Sequence, residues 1–307
     1  MIVSVRDAEN NLADGAAVTA LLAGITSISK SKNTLALQFT EGMDVSVLDI
    51  LSGKAIRMNR IKESFSYMDD GLDALFLRAE TADLTKEHYD ECVTPLLEKE
   101  NMLDVLKPTR SHRIGGIVSS ETLKNVLRHA EEVYDYVFVL LPDDKGLLEL
   151  TSAYTKEDIL VVSQGRQIQE DKLGEKTCLV VKDFEPLSRY DVPSMKKKYG
   201  KRKIYTVPHN VEYRDNVINQ TLLDFLLTNK KNIKEDENYL FTSSILSMVS
   251  RYISDQGGDE PELTLQDKPQ AGGLVSEEAT VLPEGAIQEV TVKKGLFRRE
   301  SRIMIDL

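Results

Sequence analysis

The sequence has little of what staples or anchors a chain. Among 307 residues there are two cysteines, Cys92 and Cys178. They are too few and too far apart for a disulfide framework, a C-x-x-C redox motif or a cysteine metal site. Both are expected to fill core space, and a reducing cytoplasm is the expected compartment. The N-terminal MIVSVRDAEN lacks the basic stretch and apolar run of an export signal, and no segment reads as long and apolar enough to cross a bilayer. Neither an exported nor a membrane-spanning protein is expected. Basic residues are in the minority: 39 Lys and Arg face 50 Asp and Glu, a formal net charge of −11. That balance disfavours nucleic acid as the bulk partner. The four histidines, His88, His112, His129 and His209, stand in no H-E-x-x-H pattern and beside no candidate nucleophile, so neither a metal centre nor a hydrolytic triad is expected.

What the chain does have is alternation. From residue 1 to about 252, short β-rich apolar runs alternate with longer segments of helical periodicity, the mark of a sheet covered by helices. The predicted strands are Ile2–Val5, Thr34–Phe39, Asp73–Leu77, Tyr136–Leu141, Ile159–Ser163, Cys178–Val181 and Ile204–Val207. Several are nearly continuous apolar runs, as in strands buried on both faces of a parallel sheet. Apolar residues at helical spacing predict helices over Gly15–Ile25, Ser120–Val133, Asp215–Leu227 and Asn238–Ile253. The expected fold is therefore α/β: three layers, with a mainly parallel sheet flanked by helices and a flexible C-terminal tail. Residues 1–252 form the domain. Residues 253–284 read as an acidic flexible linker, since 251–284 carry three prolines, two Gly-Gly pairs and eight acids against two bases. Residues 285–307 read as a basic, apolar tail.

In an open parallel sheet, ligands bind beyond the carboxyl ends of the strands, and the first βα turn is where a phosphate loop belongs. Here that turn is RDAENNLADGAA, of the right length between a strand and a small-residue helix. The chemistry of such a loop is glycines to wrap phosphate in amides, a lysine, and a hydroxyl for Mg²⁺. The segment has no lysine, no hydroxyl and no paired glycines.

The order of blocks resembles the ParA/MinD family of deviant Walker ATPases. It runs through the loop-length turn, KNTLALQFTEGMDVSVLDILSGK, EEVYDYVFVLLPDD, DILVVSQ, TCLVVKDFEP and KIYTVPHN. The resemblance implies a P-loop NTPase-like fold and, in an active member, ATP with Mg²⁺ as cofactor. Aligned on it, Glu9 stands for the signature lysine, Asn10 and Asn11 for the paired glycines, Asp14 for the phosphate lysine, Gly15 and Ala16 for the hydroxyls, and Leu140 for the Walker B aspartate. The acid ending the second strand falls on Gln38 or Thr40. Losses in several separate segments imply a degenerate site, no catalytic residue, and no nucleotide cofactor. The alternative is a divergent ATPase in which Arg6 replaces the missing lysines. Asp14 is also expected to cap the following helix, occupying the phosphate's seat.

By the same resemblance Lys182, Asp183, Pro208, His209 and Asn210 are expected to line a residual base pocket. VPHNVEYRDNVINQTLLDFLL most resembles the TadZ/CpaE branch, which implies a scaffold or positioning role in Flp/Tad-type pilus or secretion assembly, with protein partners and a nucleotide-independent homodimer. The run KKKYGKRK (196–203) reads as a solvated helix end rather than a nucleic-acid grip, and the pairs Asp69–Asp70 and Asp143–Asp144 as solvated turns. In the tail, Lys293, Lys294, Leu296, Phe297, Arg298 and Arg299 have two readings, a partner-docking peptide or a peripheral membrane contact.

Overall fold

The computed structural model describes residues 1–39, 45–52, 71–97, 102–109, 119–200, 202–231 and 236–254. The chain divides into two units, Met1–Glu260 and Pro261–Leu307, and every described residue belongs to the first. The tail residues Lys293, Lys294, Leu296, Phe297, Arg298 and Arg299 lie outside the described residues, as do Asp69, Asp70 and His112.

An eight-stranded sheet runs in the order β3-β4-β2-β5-β1-β6-β7-β8. Its strands are β1 (Ile2–Asp7), β2 (Thr34–Gln38), β3 (Thr94–Leu97), β4 (Leu103–Val105), β5 (Tyr136–Leu140), β6 (Thr155–Ser163), β7 (Thr177–Phe184) and β8 (Ile204–Pro208). Every pairing is parallel except β3 with β4. The central strands β1, β2 and β5 are buried at every position, as their largely apolar sequences require of strands covered on both faces.

Around the sheet stand α1 (Leu12–Lys30), α2 (Gly71–Thr81), α3 (Lys86–Cys92), α4 (Ser120–Val133), α5 (Lys145–Ser152), α6 (Val192–Tyr199), α7 (Val211–Asn219), α8 (Leu222–Asn229) and α9 (Tyr239–Ser254). One face of the sheet packs with α1, α8 and α9, burying Val3, Val5, Phe138 and Val180 among Leu21, Ile25, Phe225 and Ile245. On the other face, Leu35, Val137 and Val139 meet α2, α3 and α4, and Leu160, Leu179 and Val181 meet Met195 and Tyr199 of α6.

Helix α1 corrects one expectation. It is a nineteen-residue apolar helix, long enough to span a bilayer, but it is mostly buried in the protein. Its polar groups are satisfied inside, as buried hydroxyls require: Thr19 donates to Gly15 O at 2.7 Å and Ser27 to Met102 O at 3.0 Å. At Gly24, an added Cβ would stand 2.6 Å from Leu226 Cδ1, so glycine is what lets α8 pack this closely.

Three further expectations change. Asp73–Leu77 is not a strand but the middle of α2. Its buried residues Leu72, Leu75, Phe76 and Ala79 are spaced as one face of a helix, while Leu77 is half exposed. The helix expected over Asp215–Leu227 is two helices, broken where Gln220 takes a left-handed conformation (φ 62°). Strands β3 and β4 are additional. Each is short, and β3, on the sheet edge, contains Pro95, which an edge tolerates. Cys92 and Cys178 are buried and unbridged, as expected.

Candidate functional site

The carboxyl ends of β1, β5, β6, β7 and β8 converge on the turn between β1 and α1. Helix α1 begins at Leu12, so Asp14 lies inside its first turn and not ahead of it. The N-cap position belongs to Asn11, whose side chain makes no capping bond to the helix amides. The carboxylate that organises the turn is instead Asp7, at the end of β1. Its Oδ1 accepts from Glu9 N at 2.7 Å and from Asn11 N at 2.9 Å. Asn10, left-handed at φ 57°, donates its amide to Asp7 O at 3.3 Å, and Asp14 N and Gly15 N both donate to Asn11 O, at 3.1 and 3.2 Å. A phosphate loop works by presenting such amides outward to an anion. Here the amides of Glu9, Asn10, Asn11, Asp14 and Gly15 all donate within the turn. Asp7 Oδ2 is buried with no partner among the described residues, and burial raises the Asp7 carboxyl above its ordinary value.

Asp14 has a different partner from the one expected of a cap. Its Oδ2 receives the ammonium of Lys182 from β7 and the side-chain amide of Asn11. Both members of the ion pair are largely sheltered, with side chains 17% (Lys182) and 31% (Asp14) exposed. Beside it, Glu9 is held below its ordinary value by hydrogen bonding with Ser163 at the end of β6, helped by Lys182 and Arg166. Leu140, fully buried, fills the adjoining space: a Cβ added at Gly15 would stand 2.9 Å from Leu140 Cδ1. Gln38, at the end of β2, turns its carbonyl to Val47 N at 3.1 Å and serves the backbone of the next segment.

The five residues expected around a base lie at the carboxyl ends of β7 and β8 and at the N-terminus of α7. Lys182 turns to Asp14. Asp183 is left-handed (φ 50°) and faces His209, with Nδ1 to Oδ1 3.6 Å, while His209 N bonds Phe184 O at 3.1 Å. Pro208 ends β8. Asn210 caps α7, accepting from Tyr213 N at 2.6 Å and donating to Asn238 at 2.8 Å. Tyr213 packs against Phe241 with ring centroids 4.9 Å apart, and burial, with the carboxylates of Asp183 and Asp14 nearby, raises its phenol above the ordinary value.

The chain compares with several solved structures. A ParA family ATPase from Chlorobium tepidum TLS matches it with a TM-score of 0.59 at 14% identity, over 81% of this chain and 97% of the other. The fold is that of the ParA/MinD ATPases. The septum site-determining protein MinD of Pyrococcus horikoshii OT3, solved with Mg-ADP, matches with a TM-score of 0.56 at 12% identity, over 84% of this chain and 99% of its own. A chain of the MinC:MinD cell division complex of Aquifex aeolicus matches at 0.52 and 16% identity, over 84% and 98%. By sequence alone, no protein-family model and no curated protein matches.

Within this ParA/MinD-like fold, sequence reasoning missed a polar network on the face of β1 opposite α1. The Arg6 guanidinium forks onto Asp158 of β6, Nε to Oδ1 at 3.0 Å and Nη2 to Oδ2 at 2.6 Å, and also reaches Lys172 O. Ser4 and Thr177 donate to the same carboxylate, at 3.0 and 2.7 Å. Lys172 pairs with Asp143 at 2.7 Å and donates to Ala8 O at 2.9 Å, tying the turn after β5 to the turn after β1. Of the acid pair expected to be solvated, then, Asp143 is an ion-pair partner and Asp144 caps α5 through Leu147 N at 2.8 Å. The available signal was a pair of opposite charges at the apolar runs of two strands, Arg6 following IVSV and Asp158 preceding ILVV. Charges in such places need each other.

Proposed function

We propose that this chain is a non-catalytic relative of the ParA/MinD ATPases, a cytoplasmic scaffold or positioning protein that works through protein partners and turns over no nucleotide. The observation carrying the reading is what fills the phosphate and magnesium seats. Lys182 is paired with Asp14 inside the loop, Leu140 closes on Gly15, and the loop amides donate to Asp7 and Asn11. Phosphoryl transfer depends almost wholly on positioning and on cations that stabilise developing charge. A magnesium nucleotide does not fit these residues: it would meet the Glu9 and Asp14 carboxylates and a leucine methyl. Arg6, the cation that a divergent ATPase would need, is committed to Asp158.

The order of the sequence blocks supports a narrower reading within this one, a TadZ/CpaE-like positioning role in Flp/Tad-type pilus or secretion assembly. One similar structure is a complex of two proteins, MinC with MinD, and a protein partner is the ligand class proposed here. The tail segment from Lys293 to Arg299 is its docking peptide. A peripheral contact with an anionic membrane is the second reading, favoured by the bases that flank Leu296 and Phe297. Any homodimer forms without nucleotide. Sedimentation of the full chain with and without Mg-ATP tests this: the same oligomer in both conditions is expected, and assembly driven by Mg-ATP would overturn the proposal.

A further inference from the structure

At the far end of α6 from the loop, where the chain enters β8, lies a cavity of about 600 Å³. Its walls are apolar on one side, with Ile168 and Leu173, and cationic on the other, with Lys198 and Arg202. Tyr199 also lines it, its hydroxyl donating to Arg166 O at 3.2 Å.

Arg202 is fixed in place without being neutralised. Nη1 donates to Tyr199 O at 3.1 Å and Nη2 to Leu173 O at 3.3 Å. Both acceptors are uncharged carbonyls. Its Nε is buried and has no hydrogen-bond partner among the described residues. Lys198 stands over the Tyr199 ring, 5.2 Å from the centroid. Glu170 lines the same cavity, yet neither it nor any other described carboxylate pairs with Lys198 or Arg202. Arg202 is thus a partly buried guanidinium held by two neutral carbonyls beside a second cation, with no carboxylate paired to it among the described residues, and such unbalanced positive charge favours an anion. Its planar fork suits a carboxylate or a phosphate oxygen.

We propose that this cavity binds a small organic anion, its phosphate or carboxylate held by Arg202 and Lys198 and its apolar body lying against Ile168, Leu173 and Tyr199. The site does not include the Lys182–Asp14 pair of the loop after β1, although Ala8 of that turn packs against its apolar residues. It also gives part of the run KKKYGKRK a use other than a solvated helix end.

The test is calorimetry on the full chain with phenyl phosphate, benzoate and inorganic phosphate as probes. One of the two aromatic anions is expected to bind, and more tightly than inorganic phosphate, with binding weakened at least about tenfold by Lys198→Gln and by Arg202→Gln. Preference for phenyl phosphate would assign a phosphate headgroup, and preference for benzoate a carboxylate. Asp14→Asn is expected to leave binding unchanged. Because Arg202 also caps α6, Lys198→Gln is the deciding variant if Arg202→Gln fails to fold. No heat with either aromatic anion would overturn the proposal, as would binding that Lys198→Gln leaves intact or that Asp14→Asn abolishes.

Discussion

Gly15 and Leu140 make a direct physical test of how the loop is closed. Leu140 is fully buried in β5, and its Cδ1 lies 2.9 Å from the position of a Cβ on Gly15. Adding that Cβ by Gly15→Ala has two opposed effects. Alanine inside a helix is favoured over glycine by about 1 kcal/mol, whereas forcing a methyl into a filled space costs about 1–3 kcal/mol. The net change in the wild-type background is therefore about 0–2 kcal/mol destabilising. Leu140→Ala alone removes a buried isobutyl group and costs about 2–5 kcal/mol. In that background the obstructing Cδ1 is gone, so Gly15→Ala changes sign and stabilises by about 1 kcal/mol, with some of the cavity refilled. The coupling energy expected from a four-corner urea-unfolding cycle is about 1–3 kcal/mol. Additivity to within about 0.5 kcal/mol would mean that the two residues do not press on each other, and the reasoning would fail.

The ion pair in the loop and the carboxylate beneath it give two more expectations. Lys182→Met strands Asp14 and Asp14→Asn strands Lys182, each costing about 1–3 kcal/mol, with the double variant costing less than the sum; equal, additive losses on chemical denaturation would argue against a coupled pair. For Asp7 the sign follows from its raised pKa. The folded state holds the proton more tightly than the unfolded state, so the contribution of Asp7 to stability is largest below its unfolded pKa and declines as pH rises through its folded value. Asp7→Asn retains an acceptor for Glu9 N and Asn11 N but carries no charge, so its stability relative to wild type improves as pH rises from the unfolded value of Asp7 through its raised folded value. A difference that stays flat, or worsens, over that range would refute the account of Asp7.

The central sheet was legible because β1, β2, β5 and the cores of β6, β7 and β8 are largely apolar runs rather than alternating ones. That pattern leaves a parallel, doubly covered sheet as the natural solution. The same cue misled at Asp73–Leu77, where a short apolar run belongs to a helical stripe that begins at Leu72 and continues to Ala79. The break between α7 and α8 had no marker, since Gln220 takes a conformation usually given to glycine or asparagine. Of the site, the order of blocks pointed to the turn after β1, and the fold places that turn between the central strand β1 and helix α1. Asp14 was identified as the residue that matters in the loop, but its role is to receive Lys182. The cap-like acceptance of loop amides falls to Asp7, seven residues earlier in sequence. Long-range partners such as Lys182 with Asp14, or Lys172 with Asp143, lie on different strands and turns, and only the sheet order brings them together.

The measurement that bears most directly on the account is calorimetric titration of the full chain with Mg-ATP and Mg-ADP, at protein concentrations able to detect a Kd of about 0.1 mM. With Lys182 bound to Asp14, the loop amides spent on Asp7 and Asn11, and Leu140 packed on Gly15, the expected result is no binding of either nucleotide. Saturable binding of Mg-ATP at the loop, lost in Lys182→Met, would contradict the claim that the protein's own side chains have taken the nucleotide's place.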